Sequence, residues 1–194
     1  KRDTLITFGV SCLNAVAFYM LLSYMPTYVK EELGFSQGTA TMATSVTLVV
    51  YIAAIFLMGR LSDFFGRRRM LVSACMAFIV LSIPLFLAMT HAPGLPAIVA
   101  CQIIFAIMLT ANDGTLATFL AESFPTSVRY SGFALSFNGA NALLGGTTPF
   151  IVTWLIGVSG SSLAPAVYLT AVSAMAMVSI LASRVLHSSD LTEP

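Results

Sequence analysis

The chain has 194 residues, of which 58% are hydrophobic and only 9% are charged, and its formal net charge is +1 at pH 7. Because a soluble domain carries about 25% charged residues, this composition excludes a water-soluble globular protein and favours an integral membrane protein in a lipid bilayer. The near-neutral charge balance also argues against a nucleic-acid partner.

Six apolar runs are each long enough to cross a bilayer, whose core needs about 20 apolar residues per helix. We predict transmembrane helices at about residues 5–25, 40–58, 70–89, 96–120, 131–155 and 165–186. Proline is expected to end the first helix, at Pro26, and to kink the third, at Pro84. The predicted fold class is therefore an all-α membrane protein, with one six-helix transmembrane domain over residues 1–194.

The first span carries an amide and aromatic side chains. Asn14 and Phe18 lie four residues apart and so share a helix face, with Tyr19 beside them. Such groups suit a zwitterionic ligand, because quaternary ammonium groups favour aromatic faces. Core packing explains Phe18 and Tyr19 equally well. Tyr24 and Tyr28 are predicted to lie in the aromatic belt at the membrane boundary.

A charged loop bracketed by glycines, Gly59-Arg-Leu-Ser-Asp-Phe-Phe-Gly-Arg-Arg-Arg69, separates the second and third spans. Gly59 is expected to let helix ends pack closely, and Gly66 to permit the reversal of the chain. Asp63 is an acceptor at the membrane boundary, and the three arginines that end the loop are donors. A simple positive-inside anchor would explain the arginines but not the spacing of the aspartate and the glycine.

Asp113, in the fourth span, is the one acidic residue well inside an apolar run. A charge embedded in a membrane costs at least ~2.5–3.5 kcal/mol, so it normally faces a cavity or a partner. Gln102 and Asp113 fall on one helical face, with Asn112 beside the carboxylate. We predict that this polar stripe takes part in proton coupling or contacts a substrate. The alternatives are a structural ion pair and a residue that simply lies near the cytoplasmic boundary of its span.

The segment Ala121-Glu-Ser-Phe-Pro-Thr-Ser-Val-Arg-Tyr-Ser-Gly132 joins the fourth and fifth spans. Its Glu122 and Arg129 are expected to pair with the charges of the earlier loop. The fifth span contains Asn138 and Asn141, which are plausible cavity amides or interhelical hydrogen-bond partners. Its glycines fit either static close packing or a helix that bends during a conformational change.

Basic residues are distributed unequally between the two ends of the predicted spans. One end receives only Lys30, whereas the other receives Lys1, Arg2, Arg60, Arg67, Arg68, Arg69, Arg129 and Arg184. Because cytoplasmic loops carry the excess of positive charge, both termini are predicted to be cytoplasmic.

Residue types that build catalytic and metal sites are scarce. All three cysteines, Cys12, Cys75 and Cys101, fall in apolar runs, which is typical of packing residues rather than of a disulfide framework. The two histidines, His91 and His187, are predicted at opposite membrane faces and so form no metal site or catalytic triad. No phosphate-binding loop is present. The sequence predicts no enzyme activity and no cofactor.

Both charged segments are similar to family signatures. The run Gly59–Arg69 resembles the loop signature of the major facilitator superfamily, although Phe64 departs from it where a basic residue is common. The matching residues are Gly59, Leu61, Ser62, Asp63, Gly66, Arg67 and Arg68. The run Ala121–Gly132 resembles a segment of the metabolite:proton symporter branch. The resemblance covers essentially all six spans and implies the C-terminal half of a twelve-helix fold.

This resemblance carries expectations about mechanism. It implies an ion-pair latch that holds the cytoplasmic side closed, with its members drawn from Asp63, Arg67, Arg68, Arg69, Glu122 and Arg129. It implies a multi-pass protein of a cell membrane, of the bacterial inner-membrane type, whose partner is an N-terminal half or a second copy. Candidates for the substrate or proton pathway are Asn14, Phe18, Tyr19, Gln102, Asp113, Asn138 and Asn141.

Two segments, Phe18–Tyr28 and Ala164–Tyr168, look most like proline/betaine transporters. The resemblance therefore implies secondary active transport of a zwitterionic osmolyte, coupled to protons by alternating access. Three alternatives stay open: a citrate-like carboxylate:proton symporter, an uncoupled facilitator or drug exporter, and a membrane sensor module that does not transport.

Overall fold

A computed structural model of the chain describes residues 2–91 and 94–183. Over these residues it contains helices and no β-strand. The six long helices are α1 (Arg2–Glu31), α2 (Gln37–Phe65), α3 (Arg67–His91), α4 (Leu95–Glu122), α5 (Arg129–Ser159) and α6 (Ala164–Ala182). All six are long and apolar enough to cross a membrane, so the predicted all-α membrane fold is confirmed. Lys1, Arg184 and His187, used in the sequence analysis, lie outside the described residues.

The helices extend beyond most of the predicted bounds, because hydropathy marks only the part that faces hydrocarbon. Helix α2 shows the reason best, since it continues past the apolar run until Gly66 stops it. Gly66 has φ +88°, a conformation that favours glycine, and α3 begins at the next residue. The prediction that Gly66 permits the chain reversal is confirmed. Helix α3 continues through Pro84.

Helix α1 changes its pitch partway along. It is α-helical over Arg2–Phe18, π-helical over Tyr19–Tyr24 and α-helical again over Met25–Glu31. The prediction that Pro26 ends the first helix is therefore wrong. The wide π-helical turn resets the hydrogen-bond register, so Pro26 stands in the first turn of the next α-helical segment, where its missing N–H costs no bond.

Helix α5 has the same construction as α1. It is α-helical over Arg129–Ala140, π-helical over Asn141–Gly145 and α-helical again over Thr148–Ser159. Its π-helical turn packs against α1, and its second α-helical segment packs against the π-helical turn of α1. The two irregular turns therefore lie next to each other in the fold.

Helix α1 forms the centre of the bundle. Of its most apolar stretch, 67% is buried, against 22% for α2 and 17% for α5. Helix α1 packs on α2, α4, α5 and α6, while α3 packs on α4 and α6. Large apolar side chains remain exposed on α2 and α5, among them Val49, Phe56, Phe150 and Trp154. Within the described residues, these two helices thus leave a broad face for lipid or for another protein unit.

Helices α2 and α4 approach each other backbone to backbone. A Cβ atom added to Gly114 would lie 2.9 Å from the amide nitrogen of Gly59 and 3.2 Å from the carbonyl oxygen of Ile55. The close packing predicted at Gly59 is present, but the residue that requires glycine is Gly114 of α4, because a Cβ atom on Gly59 would lie 3.7 Å from its nearest neighbour. Such contacts between small residues are a main source of helix association in membranes.

The placement of Tyr24 and Tyr28 in an aromatic belt is wrong. Tyr28 is fully buried, its ring meets Phe86 edge-on with 5.2 Å between ring centroids, and its hydroxyl donates to the Ser162 carbonyl oxygen at 2.9 Å. Tyr24 is buried as well. The sequence places both residues near the end of a span, but only the packing shows that other helices surround α1 at that end.

Candidate functional site

A cluster of polar side chains surrounds Asp113 on α4, between the middle of the helix and its end. The side-chain amide of Asn14 on α1 donates to one carboxylate oxygen, and the hydroxyl of Tyr51 on α2 donates to the other. Among the described residues no basic side chain pairs with Asp113, so the alternative of a structural ion pair is not realised there. The described residues also contain no group of three His, Cys, Asp or Glu side chains that could hold a metal ion.

Aromatic rings lie beside this carboxylate. The ring of Phe18 meets Tyr51 edge-on at 6.2 Å and Tyr19 edge-on at 6.0 Å between centroids. Phe18 is 39% exposed, and both Tyr19 and Asp113 are partly exposed. An accessible carboxylate next to aromatic faces has the chemistry that binds a cationic ammonium group. Tyr51 was not identified from the sequence, where the one available signal was a phenol in the middle of an apolar span.

Gln102 lies on the same face of α4 but belongs to a separate polar contact. Its side-chain oxygen is 3.2 Å from the Thr47 hydroxyl and 3.5 Å from the Thr44 hydroxyl, both on α2. An α-helix rises 1.5 Å per residue, so about 16 Å separates Gln102 from Asp113 along α4. The predicted stripe is thus the face of α4 that packs on α2, and its two polar ends do not meet.

The two asparagines of α5 are not bonded to the Asp113 cluster within the described structure. Asn138 is exposed, and the Asn141 amide donates to the Phe137 carbonyl oxygen of its own helix at 2.9 Å. Helix α5 reaches the cluster through Gly145 instead, where an added Cβ atom would lie 2.8 Å from the ring of Tyr19. The glycine therefore makes room for an aromatic side chain of the candidate site.

A second group of charges lies at the end of the bundle that carries the loop between α2 and α3. The guanidinium of Arg67 is 2.7 Å from a Glu122 carboxylate oxygen and 3.5 Å from an Asp63 carboxylate oxygen. We call these three residues the latch triad. Its single guanidinium joins the last turns of α2 and α4 at the first residue of α3.

Two charges of the latch triad stand at helix ends where the helix dipole disfavours them. A helix carries partial positive charge at its N-terminus and partial negative charge at its C-terminus. Arg67 begins α3 and Glu122 ends α4, so each charge stands at the helix end that disfavours it. Their mutual pairing offsets this cost, and separating them would restore it.

Of the other arginines predicted for the latch, two donate to backbone carbonyl oxygens and one forms no ion pair with the described residues. Arg68 donates to the Leu181 carbonyl oxygen at 3.2 Å, which ties the start of α3 to the last turn of α6. Arg129 donates to the Phe124 carbonyl oxygen at 3.2 Å. Arg69 forms no ion pair with the described residues. Of the predicted latch, the structure therefore brings together only the latch triad.

Comparison with known proteins identifies relatives along almost the whole chain. Residues 7–193 match the family model described as Major Facilitator Superfamily. The proline/betaine transporter of Escherichia coli (strain K12) is 33% identical over 180 residues, covering 91% of this chain and 35% of that protein. The ectoine/proline transporter of Corynebacterium glutamicum is 33% identical over 180 residues, covering 93% of this chain and 36% of that protein.

A further relative is the glycine betaine/proline/ectoine/pipecolic acid transporter of Dickeya dadantii. It is 31% identical over 179 residues, covering 91% of this chain and 35% of that protein. The chain therefore spans about a third of the length of the curated relatives that it matches.

Proposed function

Because the chain belongs to the major facilitator superfamily, we propose that it forms one six-helix half of a secondary transporter for a small zwitterionic osmolyte such as proline or betaine. It is a multi-pass membrane protein of a transporter family and not an enzyme. The proposed unit is the C-terminal half. In transporters built from two such repeats, the substrate site lies near the membrane midplane between them, and they rock about it. The partner is an N-terminal half or a second copy.

The observation that carries this proposal is the partly exposed carboxylate of Asp113, which the buried side chains of Asn14 and Tyr51 hold beside the exposed ring of Phe18. An aromatic face attracts an ammonium group by about 0.5–2 kcal/mol, and two edge-on rings border this cluster. A zwitterion also needs a donor for its carboxylate. The Asn14 amide is the nearest one, although it is bonded to Asp113 in this structure.

The hydrogen bond from Asn14 to Asp113 also offers a mechanism that couples substrate binding to proton binding. Asp113 has two neutral donors and no basic partner within the described structure, so a proton is the simplest way to neutralise it inside the membrane. A protonated carboxyl group needs fewer donors than a carboxylate. Protonation would therefore release the Asn14 amide to bind the substrate carboxylate, while the aromatic faces hold the ammonium group, which ties substrate binding to proton binding, as symport requires.

The latch triad is proposed to act at the cytoplasmic side of the membrane. The supporting observation is the accumulation of Arg2, Arg60 and the loop arginines at that end of the bundle, because positive charge is concentrated in cytoplasmic loops. An ion pair between helices α2, α3 and α4 stabilises one conformation and is lost when those helix ends separate. It thereby biases alternating access towards the state closed on the cytoplasmic side.

Replacing Glu122 by glutamine is expected to weaken that closed state. Arg67 and Glu122 are both about one-third exposed, and exposed ion pairs contribute roughly 0.2–1 kcal/mol. The equilibrium between the two access states should shift by up to about fivefold. The shift is measured as faster labelling of a cysteine introduced at Leu135, an exposed position near the start of α5. The native cysteines are buried, so the background is low.

The matched control exchanges the two charges. The variant that combines Arg67→Glu and Glu122→Arg with Asp63→Asn restores an ion pair, avoids repulsion between Asp63 and the carboxylate introduced at position 67, and places each exchanged charge at the helix end that favours it. Labelling in this variant should return to the native rate or below. If Glu122→Gln labels at the native rate, the latch triad does not govern access.

The transport proposal is tested by counterflow in proteoliposomes that contain the full-length gene product. Vesicles loaded with unlabelled proline should take up labelled proline and betaine, and an imposed proton gradient should drive accumulation. Uptake of citrate alone would replace the proposal with a carboxylate symporter. Uptake without proton flux would replace it with a facilitator. The absence of saturable uptake and binding for every zwitterion and carboxylate tested would leave a non-transporting membrane module.

A further inference from the structure

Asn112 is a polar side chain that this conformation leaves without partners. It is fully buried, and neither its amide nitrogen nor its amide oxygen has a hydrogen-bond partner among the described residues. By contrast, the amides of Asn14 and Asn141 each donate to an acceptor. A buried amide that loses its hydrogen bonds to water and gains none in return destabilises the fold, and the bilayer core supplies no water to replace them.

The position of Asn112 connects it with the candidate transport site. It directly precedes Asp113, which receives hydrogen bonds from α1 and α2, and Asp113 directly precedes Gly114, which touches the backbone of α2. Successive residues of an α-helix point about 100° apart. Any rotation or shift of α4 at this point therefore changes the surroundings of Asn112 and of Asp113 together.

The contact between α2 and α4 favours such a movement. At Gly59 and Gly114 the two backbones meet directly, so no side chains interlock at this point of contact. The side-chain hydrogen bonds from α2 to Gln102 and Asp113 would be exchanged when one helix moves against the other. An adjacent asparagine without partners raises the energy of the conformation described here. A second position of α4, in which the Asn112 amide is hydrogen-bonded, would have a lower energy.

We propose that Asn112 is a positioning residue for the transport cycle, with hydrogen-bond partners in a second conformation of α4 and none in the conformation described here. This inference rests on the proposed transport function. Asn112 then changes the relative populations of the two access states, because its unpaired amide destabilises one of them. A ligand or proton that changes the contacts of Asp113 moves the same segment of α4.

The test replaces Asn112 with leucine, which branches at the same carbon atom, is larger and has no polar side-chain atoms, in the full-length gene product. We expect the melting temperature to rise by at least about 3 °C, because the unpaired amide is gone. We expect the maximum rate of proline uptake to fall at least tenfold without an increase in KM. A cysteine at Leu135 should be labelled at a changed rate, because one access state becomes dominant.

Thr115→Val is the matched control on the same helix. Thr115 is also fully buried, but its hydroxyl donates to the Ala111 carbonyl oxygen at 3.0 Å, so its polar atom is satisfied. The valine variant should not be more stable than the native protein, and it should keep native uptake. A lower melting temperature or loss of folding in Asn112→Leu, or native uptake and labelling rates, would overturn the inference. If the native protein transports no zwitterion, the proposed function fails, while the melting and labelling measurements still decide the role of Asn112.

Discussion

Asp113→Asn is expected to abolish the accumulation of proline against its gradient while the protein stays folded. An asparagine resembles the protonated carboxyl group, because its one acceptor oxygen can keep the bond from Tyr51 and leave the Asn14 amide free for substrate, but it cannot bind and release a proton. Uphill uptake driven by a proton gradient should fall more than tenfold. Counterflow, which needs no net proton movement, should persist. Both are measured in the same proteoliposomes.

Tyr51→Phe provides the matched control for this prediction. It removes one donor to the carboxylate but leaves the ring beside Phe18 in place. Coupled uptake should persist in this variant, with an altered pH dependence, because one hydrogen bond to the carboxylate is lost. Full uphill uptake by Asp113→Asn would rule out the proposed coupling role and leave Asp113 as a structural acceptor for α1 and α2.

Replacing Gly114 by alanine is expected to cost about 2–3 kcal/mol of folding stability. The added Cβ atom would lie 2.9 Å from a backbone nitrogen and 3.2 Å from a backbone oxygen, and backbone atoms cannot turn aside as a flexible side chain can. The melting temperature should fall by roughly 5–10 °C. Transport should fall as well, because Asp113 is the preceding residue.

Two other glycines serve as controls for Gly114. A Cβ atom on Gly59 would meet its nearest neighbour at 3.7 Å, which is ordinary contact, and one on Gly157 would meet nothing within 4 Å. Gly59→Ala and Gly157→Ala should therefore leave the melting temperature unchanged or raise it, since alanine forms helix better than glycine. A Gly114→Ala variant as stable as these two would show that α2 and α4 can separate without cost.

The comparison of Gly59 with Gly114 shows the difference between a glycine that a sequence motif identifies and a glycine that helix packing requires. Gly59 belongs to the recognisable loop signature, whereas Gly114 belongs to no motif and was not singled out in the sequence. The structure shows that the more constrained member of the pair is Gly114. Glycine is needed where another backbone comes close, and the sequence does not report which backbone that is.

The sequence by itself determined the membrane class and the helix count. Transfer of some 20 apolar residues into a bilayer is a local property of each segment, and it can be read without knowing the neighbours of that segment. The charged loop could be recognised in the same way, because Gly66 and the residues around it act within a few positions of one another. The resemblance of that loop to a family signature agrees with the family match over residues 7–193.

Only the tertiary structure decided which side chains meet. Asn14, Tyr51 and Asp113 come from three helices, and the pairing of Arg67 with Glu122 also joins distant segments. Whether Pro26 ends the first helix depended on a π-helical turn, and no local sequence pattern predicts the hydrogen bonds of that turn. In a bilayer every helix is apolar over most of its surface, so hydrophobicity does not indicate which face turns inward. Small-residue contacts and a few hydrogen bonds set the rotation of each helix, and these exist only once the helices have packed.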